Sequence, residues 1–172
     1  SFNLAKYTLI QILMVILLSR GRGVMLHACG VNDSGNGYLF VGRSGQGKST
    51  MAKLWSGNRV CVLSDDRIIV RKIKQRFWIY GTPWHGESKI CLPEKVPLKK
   101  IFFLRHAKVN RVKEVDPFDA VSRLICCSFP TFWDKQGMEF TLKFFSDLVK
   151  NIPIYELEFL PDKSALDFIK NH

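Results

Sequence analysis

Residues 42–50 read Gly-Arg-Ser-Gly-Gln-Gly-Lys-Ser-Thr, which matches the phosphate-loop pattern G-x-x-x-x-G-K-[ST]. The pattern also arises by chance in unrelated sequences, so its surroundings decide how much it means. Before it, the apolar stretch 38–41 predicts a strand that is covered on both faces. After it, the sequence predicts a short helix from Ser49 to Trp55 that stops at Gly57-Asn58. A strand, a glycine-rich loop and a helix in this order predict a site for phosphate groups.

The residues of this loop have distinct predicted roles. Its glycines allow the backbone to wrap with its N–H groups pointing inward. The ammonium of Lys48 would reach the β- and γ-phosphates of a nucleotide, and the Ser49 hydroxyl would ligate Mg²⁺, with Thr50 as the second candidate. The predicted nucleotide-binding residues are Gly42, Arg43, Ser44, Gly45, Gln46, Gly47, Lys48, Ser49 and Thr50.

A pair of carboxylates, Asp65-Asp66, follows the next apolar strand, predicted at 59–63, and begins 17 positions after Lys48. Two neighbouring acids can divide the work of phosphoryl transfer: one holds the metal and the other accepts a proton from the attacking hydroxyl. Two carboxylates that face one triphosphate are also expected to raise each other's pKa, which would suit a general base. The sequence therefore predicts that Asp65 and Asp66 are catalytic and metal-binding residues.

The stretch Gly81-Thr82-Pro83-Trp84-His85-Gly86-Glu87 predicts an irregular loop directly after a strand. Loops with stiff turns and polar or aromatic tips are common binding elements. Trp84, His85 and Glu87 are therefore candidates for contact with the group that receives the phosphate, with His85 or Glu87 orienting its hydroxyl or contacting the metal. The alternative is a packed turn with Trp84 in the core.

The phosphate loop and the acidic pair together resemble the HPr kinase/phosphorylase family and, more distantly, the phosphoenolpyruvate carboxykinases. Residues 24–70 carry the resemblance: Leu26-His27, a short hairpin, Gly42 to Ser49 and then Asp65-Asp66. It implies an α/β fold whose core is a mixed sheet containing the phosphate loop, with flanking helices. It also implies ATP- and Mg²⁺-dependent phosphorylation of a hydroxyl, typically of serine, with His27 near the active centre and Lys48 at the phosphates.

The chain departs from this family at two places. The Glu-x-Arg-Gly segment after the acidic pair is missing, and residues 81–87 occupy its region. The later arginine-bearing loop that serves the reverse, phosphorylase reaction is not recognisable. The acceptor is therefore predicted only as a serine-containing protein or peptide, or a small molecule.

Other functions remain open from the sequence. The alternative to a kinase is a nucleotide-binding module or slow NTPase that serves a partner protein. A carboxykinase-like enzyme would need a second metal and an arginine-rich pocket, which no motif places. An ABC-type ATPase is not favoured, because its signature motif and its late Asp-Glu strand are absent.

The composition is that of an ordinary globular protein. Hydrophobic residues make up 47% of the 172 residues and charged residues 24%, which excludes disordered and low-complexity classes. This length predicts one domain, 1–172, whose core needs no disulfide, although a chain without an initiator methionine could be a fragment. Five cysteines without a CxxC pair favour a reducing, cytoplasmic compartment.

Basic residues outnumber acidic ones by 26 to 15, a net charge of +11. The clusters at 67–76 and 99–113 are predicted to be solvated faces, and attraction for nucleotide phosphates or an acidic acceptor is the alternative. Arg105 and His106, just past a buried strand at 101–104, have the same two interpretations. Nucleic acid is not expected as a partner, because no helix-turn-helix, zinc finger or RNA-binding aromatic motif occurs.

The run Thr8–Leu18 is apolar except for Gln11 and is too short to span a bilayer. It predicts a buried helix over 5–18, or alternatively an interface in a homo-oligomer. Elsewhere, periodicity and turn residues predict more hairpins than a doubly wound sheet would have. The remaining predicted elements are strands at 24–29, 68–70, 77–80, 101–104 and 154–159, a turn at 32–37, and helices at 118–127, 137–150 and 163–170.

Overall fold

The structure is a computed structural model that describes residues 2–56 and 60–170. Helices and strands account for most of this part of the chain. In chain order they are α1 (Phe2–Ser19), β1 (Val24–Asp33), β2 (Asn36–Val41), α2 (Lys48–Trp55), β3 (Val60–Ser64), β4 (Arg67–Ile73), β5 (Arg76–Tyr80), β6 (Lys95–His106), β7 (Arg111–Glu114), α3 (Pro117–Cys126), α4 (Lys135–Asn151), β8 (Ile154–Phe159) and α5 (Ser164–Lys170).

The strands form two sheets that share β1 and β6. One sheet is antiparallel, in the order β1-β4-β5-β6. The other is mixed, in the order β3-β1-β2-β6-β8-β7, and its parallel pairs are β2 with β6 and β6 with β8. The shared strands have 10 and 12 residues, long enough for each half to pair in a different sheet. The mixed α/β architecture and its hairpin character agree with the sequence prediction.

The hairpin between β1 and β2 follows directly from its turn residues. Asp33 pairs with Asn36, so the turn has two residues, Ser34 and Gly35. Their φ angles are 53° and 88°, the positive values that a tight hairpin turn of this twist requires. The Asn32 side chain accepts a hydrogen bond from the Gly35 N–H at 2.9 Å, which further fixes the turn. The turn predicted at 32–37 is confirmed.

Strand β2 lies between two apolar layers. Leu39 and Val41 belong to the layer that α3 and α4 cover, and Phe40 belongs to the layer that α2 and α5 cover. All three side chains are fully buried, so the predicted cover on both faces is confirmed. In the second layer the Phe102 ring stacks on Phe40 and on Tyr155, with centroid separations of 5.6 and 5.7 Å. This packing holds β2, and therefore the start of the glycine-rich loop, in a fixed position.

Most predicted elements agree with the structure to within a few residues. The strand predicted at 101–104 is longer, because the preceding segment from Lys95 joins the antiparallel sheet. Strand β7 was not predicted, since Arg-Val-Lys-Glu has no apolar run and resembles a solvated face. The predicted helix stop at Gly57-Asn58, and the strand start at Arg59, lie outside the described residues.

The prediction that α1 is a buried helix is wrong. One side of the helix packs through Val15 and Leu18 against Met25 and Trp84. The opposite side is open to solvent although it is apolar, and Leu13 there is 51% exposed. The helix is apolar around its whole circumference, so its sequence does not mark which side is covered, and the sheet reaches only one side. Among the described helices, none combines the length and the apolar character that crossing a bilayer requires.

The layered core predicts a large difference between two identical substitutions. Phe102→Ala removes a fully buried ring and should lower the free energy of unfolding by about 3–5 kcal/mol. Phe118→Ala is the matched control, because that ring is 83% exposed, and it should change stability by less than about 0.5 kcal/mol. Urea denaturation measures both values. Equal losses would contradict the layered core.

Candidate active site

The glycine-rich loop connects β2 to α2, and two of its glycines have left-handed backbone. Gly45 and Gly47 have φ angles of +80° and +98°, which residues with a side chain rarely adopt. Gly47 also occupies the position before α2, and no side chain caps the first amides of that helix. Uncapped N–H groups at a helix N-terminus carry partial positive charge and suit an anion.

Gly47 has a second reason to be glycine, which is the close approach of neighbouring rings. A Cβ atom at this position would lie 2.6 Å from Cζ of Phe159 and 2.9 Å from Cε1 of His106. The His106 ring in turn packs on Phe159 with a centroid separation of 5.0 Å. The loop is therefore held against the ends of β6 and β8.

Lys48 turns back towards its own loop. Its Nζ donates hydrogen bonds to the backbone carbonyls of Gly42 at 2.8 Å and Arg43 at 2.9 Å. Burial lowers the pKa of Lys48, and the nearby charges of Asp66 and Asp65 oppose that shift. The ammonium is thus short of water and held by neutral acceptors, and a phosphate oxygen would be a stronger partner for it.

Asp65 is a buried carboxylate with three hydrogen-bond donors. Its Oδ2 accepts from the Ser49 hydroxyl at 3.0 Å and from the Ser88 N–H at 3.0 Å, and its Oδ1 accepts from the Gly86 N–H at 2.6 Å. Burial alone would raise the pKa of Asp65, but the hydrogen bonds from Ser88, Gly86 and Ser49 outweigh burial and lower it. Asp65 thereby ties the first turn of α2 to the loop that follows β5.

Asp66, unlike Asp65, is held by two side chains, those of Arg67 and His27. Its carboxylate forms an ion pair with Arg67, and its Oδ1 lies 3.4 Å from Nε2 of His27. The Arg67 guanidinium also lies over the Phe129 ring, 5.2 Å from its centroid. Burial raises the pKa of Asp66, yet the hydrogen bond to His27 and the charge of Arg67 prevail and lower it.

The expectation that these two acids have raised pKa values is therefore wrong for this structure. The charge of Asp65 does act to raise the pKa of Asp66, but separate sets of donors stabilise each carboxylate. Both pKa values are lowered, so both groups are ionised at neutral pH. The sequence could not show this, because Gly86 and Ser88 are more than 20 residues from Asp65.

These segments surround a cavity of about 270 Å³ that is open to solvent. Both acids line it together with the glycine-rich loop, so the two main motifs of the sequence meet at one place. The lining residues are His27, Ser44, Gly45, Gly47, Lys48, Ser49, Thr50, Asp65, Asp66, Gly86, Glu87 and His106.

Some predicted site residues lie elsewhere. Gly42, Arg43 and Gln46 do not line the cavity; the Gln46 side-chain oxygen accepts from the Arg43 N–H at 2.5 Å. His85 is exposed, with its Nδ1 3.2 Å from the Gly86 carbonyl oxygen. Trp84 is 8% exposed and packs against α1, so its side chain supports the loop from behind.

His106 lines the cavity, whereas its sequence context favours a solvated surface. The position of His106 after a buried strand is visible in the sequence, but this is only part of what places it in the cavity. β6 runs parallel to β2, and the carboxyl ends of parallel strands lie at one edge of a sheet. The parallel pairing itself cannot be read from the sequence. Arg105, by contrast, lies near Glu156 and Glu158 at 3.9 and 3.6 Å.

The donor set of the cavity fits magnesium that is bound together with phosphate. Ser49 and Asp65 present a hydroxyl and a carboxylate oxygen side by side, and Mg²⁺ prefers oxygen ligands. In the part of the chain that the structure describes, no group of three or more His, Cys, Asp or Glu residues is placed to hold a metal ion by itself. The remaining ligands would be phosphate oxygens and water, as is usual for this ion.

Comparisons with known proteins find similarity in structure. No family model matches the sequence. No curated protein matches it either. The fold is similar to the solved structure of the Hpr(Ser) kinase/phosphatase from Coxiella burnetii, with a TM-score of 0.45, 9% sequence identity and 86% of each chain covered. A likeness of this degree carries no functional argument, so the function must be inferred from the site itself.

The hydrogen bonds of Asp65 predict a pH-dependent loss of stability. Its pKa is lowered on folding, so the stabilisation is complete above the ordinary value of 3.8 and is lost as the pH falls through the folded value. Asp65→Asn should therefore be less stable than the wild type at pH 6, and this difference should shrink towards pH 3. Denaturant unfolding at both pH values measures it.

The control for this prediction is Asp167→Asn on the exposed surface of α5. It should alter the free energy of unfolding by less than about 0.5 kcal/mol at either pH. A stability gap between the wild type and Asp65→Asn that stays constant with pH would contradict the assigned role of Asp65.

Proposed function

We propose that the protein is an ATP-dependent kinase that transfers the γ-phosphoryl group to a hydroxyl of a serine-containing protein or peptide, or of a small molecule. The observation that carries this proposal is the 3.0 Å hydrogen bond between Ser49 and Asp65. It joins the end of the glycine-rich loop to the acidic pair, so that phosphate-binding and proton-accepting groups face one cavity. The expected cytoplasmic location belongs to the same proposal, since ATP is supplied there.

In this proposal the loop residues that line the cavity, 44–45 and 47–50, hold the phosphates. The amides at the start of α2 and the Lys48 ammonium, released from the carbonyls of its own loop, offset the charge on the β- and γ-phosphates. Ser49 and Asp65 would hold Mg²⁺, which neutralises charge on the phosphate oxygens when it is bound.

Asp66 is the proposed proton acceptor. The acceptor's hydroxyl oxygen forms a bond to the γ-phosphorus, the bond to the β–γ bridging oxygen breaks, and ADP leaves with that electron pair. The hydroxyl proton passes to the Asp66 carboxylate, which His27 and Arg67 hold in place. A carboxylate with a lowered pKa is a weak base, which suits a loose transition state in which the proton moves late.

The loop after β5 would form the acceptor side of the cavity. Glu87 lines the cavity and is exposed, so it can contact the hydroxyl of an incoming acceptor or the backbone of a peptide acceptor. His85 lies next to it on the exposed face of the loop. Trp84 contributes by position: its carbonyl accepts a hydrogen bond from the Ser64 hydroxyl at 2.7 Å, which fixes the loop beside Asp65.

Asp66→Asn tests the proposed transfer. It should lower the rate of phosphoryl transfer at least 100-fold, since it removes the proton acceptor, and change the Kd for ATP less than about threefold. ATP with a labelled γ-phosphate is offered with a library of serine-containing peptides and, separately, with free serine. Asp147→Asn, whose carboxylate pairs with Lys72 away from the cavity, is the control and should retain full activity.

Each outcome of this experiment has a distinct meaning. Label on an acceptor supports a kinase. Label released only as inorganic phosphate would replace the proposal with the slow NTPase, and absence of ATP binding would end both. Full transfer by Asp66→Asn would refute the role of Asp66.

Gly47→Ala tests the nucleotide site without replacing a charged residue. The added Cβ would meet Phe159 and His106 and also strain the backbone, so ATP should bind at least tenfold more weakly. Gly45→Ala is the matched variant: it carries the same kind of backbone strain, but no atom lies within 4 Å of its Cβ, and its loss of affinity should be smaller. Titration with ATP and Mg²⁺ measures both affinities. Unchanged binding by a folded Gly47→Ala would contradict phosphate binding at this loop.

A further inference from the structure

A second pocket lies apart from the candidate active site, between the turn after α1, strand β4 and helix α4. Its volume is about 660 Å³, and it shares no lining residue with the cavity around Asp65. Strand β4 extends from one to the other: Arg67 at its start holds Asp66, and Lys72 lies about 17 Å further along. The pocket is therefore a separate place on the molecule, whatever reaction the cavity supports.

Four cationic side chains from three elements line this pocket, which we call the basic pocket. Arg22 lies in the turn after α1, Lys72 lies in β4, and Lys143 and Lys150 lie in α4. Asp147 is the one acid among the described residues that line it, and its Oδ2 accepts a hydrogen bond from Lys72 Nζ at 2.7 Å. Four cations and one acid leave the lining with a net charge of +3.

The other three cations of the basic pocket have no acidic partner. Within residues 2–56 and 60–170, no carboxylate lies within 4.0 Å of the charged groups of Arg22, Lys143 or Lys150. Like charges that face one pocket repel each other, and the protein walls focus their field into it. A bound anion would remove this repulsion, so the basic pocket suits an anion.

The turn that carries Arg22 is held in place by the protein itself. The Arg22 N–H donates to the Leu18 carbonyl at 2.9 Å, and the Arg22 carbonyl accepts from Nε of Arg71 at 3.0 Å. Gly23 comes so close to β4 that a Cβ atom there would collide with the Val70 carbonyl oxygen. Because the turn is already fixed, little ordering of the backbone would oppose the binding of a ligand.

Two aromatic rings form an apolar wall of the basic pocket. Phe140 and Phe144 lie one turn apart on α4, on the same side as Lys143 and Asp147, and their ring centroids are 5.7 Å apart. Phe144 is 7% exposed, so the contact that it offers lies within the pocket. A ligand that uses both the cations and this wall must combine negative charge with a flat apolar part.

We propose that the basic pocket binds a small organic anion that has two or three negative charges and an aromatic body. Its volume falls within the range of about 300–1,000 Å³ that is typical of small-molecule sites. The three unpaired cations match carboxylate or phosphate groups, and the wall offers aromatic contacts. A nucleic-acid backbone is bound by cations in a stripe along a surface, whereas these cations surround a pocket with an aromatic wall.

Titration of the 172-residue chain with benzene-1,3,5-tricarboxylate tests the proposal. The probe has three charges on one ring and is added at about pH 7.5 and about 150 mM salt, so that weak surface attraction is screened. NMR of the backbone amides locates the probe. Residues 21–23 and 140–150 should shift together, with one Kd below about 1 mM.

Two double variants separate the basic pocket from the general positive charge of the chain. Lys143→Gln/Lys150→Gln should raise the Kd for the tricarboxylate at least tenfold, because each lysine loses a charge-assisted contact. Lys99→Gln/Lys163→Gln is the matched control: it removes the same charge from two exposed lysines that do not line the basic pocket. Its Kd should change less than about twofold.

Each outcome supports the proposal or overturns it. Equal weakening by the two double variants would show that net charge alone attracts the probe, and shifts confined to the glycine-rich loop would place the probe in the other cavity. Citrate, which has the charges without the ring, should bind at least fivefold more weakly, and equal affinity would refute the aromatic body. A short single-stranded DNA that binds through Lys143 and Lys150, while the tricarboxylate does not bind, would make nucleic acid the occupant instead.

Discussion

The buried carboxylate of Asp65 is the contact on which the arrangement of the cavity depends. With 2% of the residue exposed, it has lost its water and needs donors from the protein. It finds them on two segments that are distant in sequence: Ser49 in α2 and the amides of Gly86 and Ser88 in the loop after β5. A charge that is buried in this way constrains the position of each donor, because withdrawing one leaves the carboxylate under-satisfied.

The register of the sheets places the other groups around this contact. Val41 pairs in parallel with Phe103, so the glycine-rich loop and the end of β6 emerge at the same edge, and His106 reaches Gly47. In the antiparallel sheet His27 pairs with Arg67, which brings the imidazole beside Asp66. The two acids, although adjacent in the chain, thus have different environments: Asp65 is held by amides and a hydroxyl, and Asp66 by a cation and an imidazole.

The same support extends outward to the surface. Trp84 and Phe129 lie between the site and α1, so the packing of an apolar helix and the geometry of two carboxylates are parts of one cluster of contacts. This helix contributes only one side to the cluster, and its other side is exposed. The supports of the proposed kinase site therefore reach α1 through these two aromatic residues.

Local sequence was enough for the features whose causes are local. Periodicity, turn residues and the pattern at 42–50 predicted most elements, the hairpin at Ser34-Gly35 and the meeting of glycine-rich loop and acidic pair. Packing between distant segments decided the rest: the lowered pKa values of both acids, the position of His106 in the cavity, and the exposed side of α1. A pKa depends on donors that the fold brings from more than 20 residues away, and burial depends on what covers a side chain. Neither the pKa nor the burial of a side chain is determined by the residues adjacent to it in the chain.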